Sequence, residues 1–146
     1  MQTHELQTHG VNDKKKKYLK EYRRHERKIK RIKAEIEEIR SLKMFPSVST
    51  DGMPHGTGKG DLSDYAARLQ EKEDELYNEG VEKVKSYMDI SSRIGEIESE
   101  DERDVLFYRY IKGMDWWEVA RAMNYCESWI YKLHGRALKN LKIKKE

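Results

Sequence analysis

Between Tyr18 and Ile39 the apolar and aromatic residues recur at alternating steps of four and three. Tyr18, Tyr22, His25, Ile29, Ile32, Ile36 and Ile39 share this register, and Lys, Arg and Glu fill most positions between them. Such a recurrence, sustained over successive heptads, describes an α-helix that buries a narrow seam against a second helix. A β-strand is excluded, because its side chains alternate with a period of two. Asp13 suits the N-cap, and the helix is expected to run to about Lys43. Residues 1–12 have no period and read as a flexible tail. A helix this polar needs a partner, since its seam alone is too thin to hold it folded.

The sequence supplies one. Residues 44–61 hold Pro46, Pro54 and the glycines at 52, 56, 58 and 60, which reads as a connecting loop. After Asp61, a second N-cap candidate, Leu62, Ala66, Leu69, Glu73, Leu76, Gly80, Lys83, Tyr87, Ile90, Ile94 and Ile97 restore the 4-3 alternation with a polar interruption in the middle. Charge separates along the chain. Residues 13–43 carry 14 Lys/Arg against 6 Asp/Glu, a net of +8. Residues 61–104 carry 6 against 15, a net of −9. The expected arrangement is a long, coiled-coil-like helical hairpin over 13–98, its basic and acidic helices pairing within one chain or between chains of a homo-oligomer. Residues 105–146 are again basic, with 9 Lys/Arg against 4 Asp/Glu. That end is left free for a polyanion.

From Ser99 onward the pattern is that of a small three-helix module. Ser99 with Glu102 forms a capping-box signature for a helix over 100–112, whose buried face is expected to be Val105, Leu106, Tyr108 or Tyr110, and Ile111. Gly113 suits its C-terminal stop. Asp115 suits the cap of a short helix over 116–123, and a third helix is expected from Glu127 to about Lys142. The spacing between the last two is restrictive. A helix-turn-helix needs a small residue in its first helix, a residue tolerant of positive φ at the turn, and apolar residues at fixed offsets. Ala120, Asn124, and the set Val119, Met123, Tyr125, Ile130 and Leu133 fill these places. Lys132, Arg136 and Lys139 then recur three to four residues apart on the outer face, followed by Lys142, Lys144 and Lys145, as a stripe that suits a phosphate backbone. The fold class expected is all-α, with a helix-turn-helix domain over 99–146, and the partner expected is double-stranded DNA.

The stretch YRYIKGMDWWEVARAMNYCESWIYKLHGRALKNL, residues 108–141, resembles the fourth region of bacterial sigma factors. It resembles more closely the C-terminal segment of phage-encoded transcriptional regulators of the ArpU type, through the "RYIKG" helix end, the Trp-Glu-x-Ala-x-x-Met run and "IYKLHGRALKNL". The likeness to those regulators extends more weakly over the first helix, the Gly-rich loop and the acidic second helix. It implies control of phage transcription in the cytoplasm of a bacterial host, through promoter-proximal DNA, with RNA polymerase as a further partner. It also implies that Glu127, Ser128 and Lys132 read bases, while Trp129, Tyr131 and Arg136 lie nearer the backbone. Lys139 and His134 on the same helix are candidate phosphate contacts. Glu127 departs from the sigma pattern, in which a basic residue is usual. A carboxylate accepts from cytosine N4, whereas Arg binds guanine, so an ordinary promoter element is not the expected target. No promoter-melting region is recognisable.

Other chemistries find little support. GTGKGD, residues 56–61, fails the phosphate-loop pattern, because Met53 replaces the first Gly and Gly60 follows Lys59 where Ser or Thr is required. The five histidines lack Cys partners at ligand spacing, so no metal, cofactor or catalytic site is expected and the chain is not read as an enzyme. The single cysteine, Cys126, cannot form an internal disulfide and fits a reducing cytosol. No apolar run approaches the roughly 20 residues of a membrane span, and the first residues lack the apolar stretch of an export signal. Trp116 and Trp117 are adjacent and cannot share a face. Two rival readings remain: a DNA-packaging component like a terminase small subunit, which would assemble as a ring, and a coiled-coil scaffold that binds DNA without sequence preference.

Overall fold

The computed structural model describes residues 2–44 and 58–143, with side chains described for 10–42 and 62–143. Every regular element among them is helical. In chain order these are α1 (Gln2–Met44), α2 (Gly58–Gly95), α3 (Glu100–Leu106) continued by a π turn (Phe107–Ile111), α4 (Trp116–Met123) and α5 (Glu127–Asn140). No helix among the described residues is long and apolar enough to cross a membrane.

Two expected boundaries move. α1 starts at Gln2, so residues 2–12 belong to a helix and not to the flexible tail read from their lack of period. Gln, Glu and Leu in that segment are good helix formers, while Gly10 and the Thr, His, Val and Asn residues weaken it. α2 starts at Gly58, which places Asp61 inside the helix and not at its cap. Residues 45–57 of the expected connecting loop, and Lys144 and Lys145 of the basic tail, lie outside the described residues.

The chain divides into two compact units, one of residues 25–82 and the other of residues 1–24 with 83–146. In the first, Ile32 and Ile36 are buried, and so is Glu79. The Glu79 carboxylate bonds to His25 Nδ1 and receives Lys28 Nζ at 3.1 Å. Burial alone would raise its pKa, but the hydrogen bonds from His25 and Lys28 outweigh it and hold the carboxyl below its ordinary value. Arg40 reaches Glu73 at 3.0 Å, and Lys72 reaches Glu35 at 2.8 Å. The basic and acidic segments therefore do meet here, through specific pairs. The expected α2 seam is only partly used: Leu62 is 61% exposed, and Glu79, one position before Gly80, takes the inward place.

The second unit has the larger core. Leu19 of α1 and Ile90, Ile94 and Ile97 from the end of α2 pack with Val105, Leu106, Tyr110 and Ile111, and with the inner faces of α4 and α5. The π turn has a physical cause in packing. Val105, Leu106, Tyr110 and Ile111 are all apolar, yet residues five apart on an ordinary α-helix point roughly 140° away from one another. Widening one turn, with the Lys112 amide donating to the Phe107 carbonyl at 3.1 Å, turns both pairs inward. Gly113 then ends the element at φ +70, with the Arg23 guanidinium packed against it.

Candidate functional site

Local chemistry sets each end of the last three helices. Ser99 Oγ accepts from the Glu102 amide at 3.4 Å and caps α3. The other half of the expected capping box is absent, because the buried Glu102 carboxylate instead accepts from Asn140 Nδ2 at 3.1 and 3.0 Å. That bond ties the start of α3 to the end of α5. At α4 the Glu118 carboxylate accepts from the Asp115 amide at 2.9 Å and completes a capping box. Asn124 follows α4 in the left-handed region, at φ 59 and ψ 43. The Tyr125 amide returns to the Ala120 carbonyl at 3.0 Å, and the chain enters α5 through Cys126. Tyr125 Oη donates to Asp101 at 2.7 Å and links this turn to α3.

Val119 and Ala120 of α4 and Ile130, Leu133, Ala137 and Leu138 of α5 are buried, so both helices spend their apolar faces on the core. The opposite side of α5 is free. Glu127, Ser128, Tyr131, Lys132, Gly135, Arg136 and Lys139 are exposed there. Of the eight site residues expected from sequence, six therefore share one open surface: Glu127, Ser128, Tyr131, Lys132, Arg136 and Lys139. Trp129 is half-buried against the core, with the Arg136 guanidinium 5.1 Å from its ring centre. The exposed Lys142 follows past the end of α5.

His134 requires a correction. It is 8% exposed and faces inward, so it does not meet a phosphate. Its Nε2 shares a hydrogen bond of 2.7 Å with the Tyr110 hydroxyl, and Trp116 stands edge-on 4.6 Å from the ring. Burial first, then the nearby charges of Lys16 and Arg109, push its pKa down to about 4. The spacing explains the misplacement, since 134 lies three or four residues from 130, 137 and 138 and so belongs to the buried stripe. Burial likewise pushes Tyr110 up to about 12. Trp116 packs inward beneath Arg109, 4.4 Å from its ring, and Trp117 is 54% exposed.

One feature, the tie between α1 and the end of α5, has no signature in the sequence. Lys15 of α1 donates to the carbonyls of Leu138 and Lys139 at 2.7 and 3.4 Å, at the negative end of the α5 dipole. Cys126 is exposed, and its bond with Ser128, with help from the Trp129 amide, holds the thiol below its ordinary pKa. Among the described residues no group of His, Cys, Asp and Glu is arranged to hold a metal ion.

These features define an all-helical protein whose α5 is anchored on one side and carries a predominantly basic, solvent-facing surface on the other. The chain belongs to the family described as Protein of unknown function (DUF1492), which matches residues 42–142 and so spans α2 to α5. No curated protein and no solved structure matches it.

Proposed function

We propose that this chain is a sequence-specific DNA-binding regulator of transcription, of the phage type, in which α4 and α5 act as a helix-turn-helix like that of sigma region 4. The observation that carries the reading is the division of α5 into two faces. Ile130, Leu133, Ala137 and Leu138 are buried, while Ser128, Lys132, Arg136 and Lys139 stand clear of the core. The left-handed Asn124 and the buried, small Ala120 support it, because they let two helices cross at close range. The α5 amino-terminal turn, with Glu127, Ser128 and Lys132, enters the major groove, and Arg136 and Lys139 lie along the phosphates. α1 and α2 form a coiled-coil-like arm for self-association, and the exposed Trp117 offers a contact for RNA polymerase.

The test is selection of bound sites from random duplex DNA by the full chain, followed by titration of the selected site and a scrambled control at several salt concentrations. Enrichment of one motif, with affinity falling steeply as salt rises, is the expected result. Salt-dependent binding without any enriched motif would leave a non-specific scaffold. Absence of binding at low salt would overturn the reading altogether.

A further inference from the structure

Gly135 stands well inside α5, which runs from Glu127 to Asn140. Glycine is the least favourable residue inside a helix apart from proline, because it has the most backbone freedom to lose. Two internal reasons can keep one there, and neither holds at this position. The first is a backbone turned to positive φ, which among the described glycines only Gly113 has. The second is a neighbour that leaves no room for a Cβ. At Gly135 a Cβ would meet nothing within 4 Å, neither another element nor the α5 side chains one turn away. The next residue, Arg136, sends its guanidinium toward Trp129, 5.1 Å from the ring centre. Nothing in the described chain requires the glycine.

Gly10 of α1 and Gly80 of α2 are as open. Gly135 differs in its surroundings. On the exposed side of α5 its neighbours one turn away are Tyr131, Lys132 and Lys139, and Ser128 lies two turns before it. It is the one position without a side chain on the face that the DNA-binding reading turns toward the duplex. An α-helix with its side chains is about 10–12 Å across and the major groove about 12 Å wide, so the clearance is small. The Cα atoms lie only about 2.3 Å from the helix axis, so the groove wall can come nearer the axis at a glycine than at any other residue. On the same reading Lys132, one turn before the gap, meets a base edge, and Lys139, one turn after it, meets a phosphate. The helix then passes the rim of the groove between them, at Gly135.

We infer that Gly135 is where α5 comes closest to DNA: the sugar–phosphate backbone at the groove rim packs against bare helix there, which lets the amino-terminal turn seat deeply enough to read bases. The inference rests on the DNA-binding reading of α5. It makes Gly135 a positioning residue, whose part is to leave space.

The experiment compares the full chain with its Gly135→Ala and Gly135→Gln variants, and with Gly80→Ala as a control for helix stabilisation away from α5. None of these alters a charge, so a change in binding reports fit. Both α5 variants should melt at or above the temperature of the unaltered chain, because Ala and Gln are better helix formers and a Cβ there meets no neighbour. Their affinity for the selected duplex should nevertheless fall, by about tenfold for Gly135→Ala, comparable with the loss of one base-edge contact. The longer Gln should cost more. Gly80→Ala should bind as the unaltered chain does. If both α5 variants also bind as tightly, DNA does not approach Gly135 and the inference falls, although the reading of α5 stands. A lower melting temperature for Gly135→Ala would assign the glycine to the fold, and equal weakening by Gly80→Ala would assign the effect to helix stiffening. Either result overturns the inference. So does a change in sedimenting mass at unchanged affinity, which would give this face to a second copy of the chain. If the unaltered chain fails to bind DNA, both readings fall.

Discussion

His134 packs against Tyr110 and Trp116, at a depth where little water can solvate a charge. Its folded pKa of about 4 lies below the ordinary 6.5, so the unfolded chain takes up the proton first as pH falls. Stability is therefore whole above pH ~6.5, declines between there and pH ~4, and is lower by about 3 kcal/mol once both states are protonated. Urea midpoints at pH 7 and pH 4.5 should show this decline, and His134→Gln should flatten much of it while lowering stability at pH 7. An equally steep decline in the variant would show that another group titrates. Asn124 poses a backbone question instead. At φ 59 a side chain branched at Cβ is strained, so Asn124→Val should cost about 1–2 kcal/mol in thermal or urea unfolding, whereas Asn124→Gly should change stability by a few tenths. If Val is tolerated as well as Gly, the turn is not held in this conformation by the packing of α4 on α5.

At the level of helices, what was legible in the sequence was local. Ser99, Asp115, Gly113 and Asn124 each act through neighbours a few residues away, and each occupies the end its chemistry suits. The π turn was not legible, because α-helical spacing offers no way to bury Val105, Leu106, Tyr110 and Ile111 together; only the choice between Tyr108 and Tyr110 hinted at it. Leu19 was missed for a related reason. It lies one residue off the Tyr18–Tyr22 register, and the larger core that claims it comes from distant segments. The inward turn of His134 was available from its spacing, but polarity drew it to the wrong face. The exposed face of α5 was legible, and on the proposed DNA-binding reading its residues should divide by role. Arg136→Ala and Lys139→Ala should weaken binding to selected and scrambled duplexes alike, because backbone contacts position without specifying. Lys132→Ala or Ser128→Ala should narrow the difference between those duplexes, by about 1–3 kcal/mol for each base-edge interaction removed. Binding titrations on the two duplexes measure both effects. Equal losses on both for Lys132→Ala would overturn the base-reading role proposed for it.

For the molecule as a whole, opposite charges from α1 and α2 meet in the unit of residues 25–82, but net charge was a poor guide to which residues do so, since Lys72 of the acidic segment pairs with Glu35 of the basic one. Pairs such as Arg40 with Glu73 follow from charge, but Glu79 is buried between His25 and Lys28 because two donors compensate its desolvation, which no periodicity reveals. Ile32 is fully buried in the unit of residues 25–82. Burial of an Ile side chain contributes about 1.5–3 kcal/mol, and an Asp in its place adds an unpaired charge. Ile32→Asp should therefore unfold that part of the arm and lower any oligomeric state that depends on it. All three tryptophans, Trp116, Trp117 and Trp129, lie in the other unit, so their fluorescence reports it alone. The expected outcome is a loss of helical ellipticity at about 222 nm, where backbone amides of helices absorb, with the tryptophan emission maximum and its own melting transition retained. Full ellipticity and an unchanged melt would mean that Ile32 is not part of a stabilising seam. Simultaneous loss of both signals would mean that α1, which runs through both units, carries unfolding from one into the other, so that the two units fold as one cooperative block.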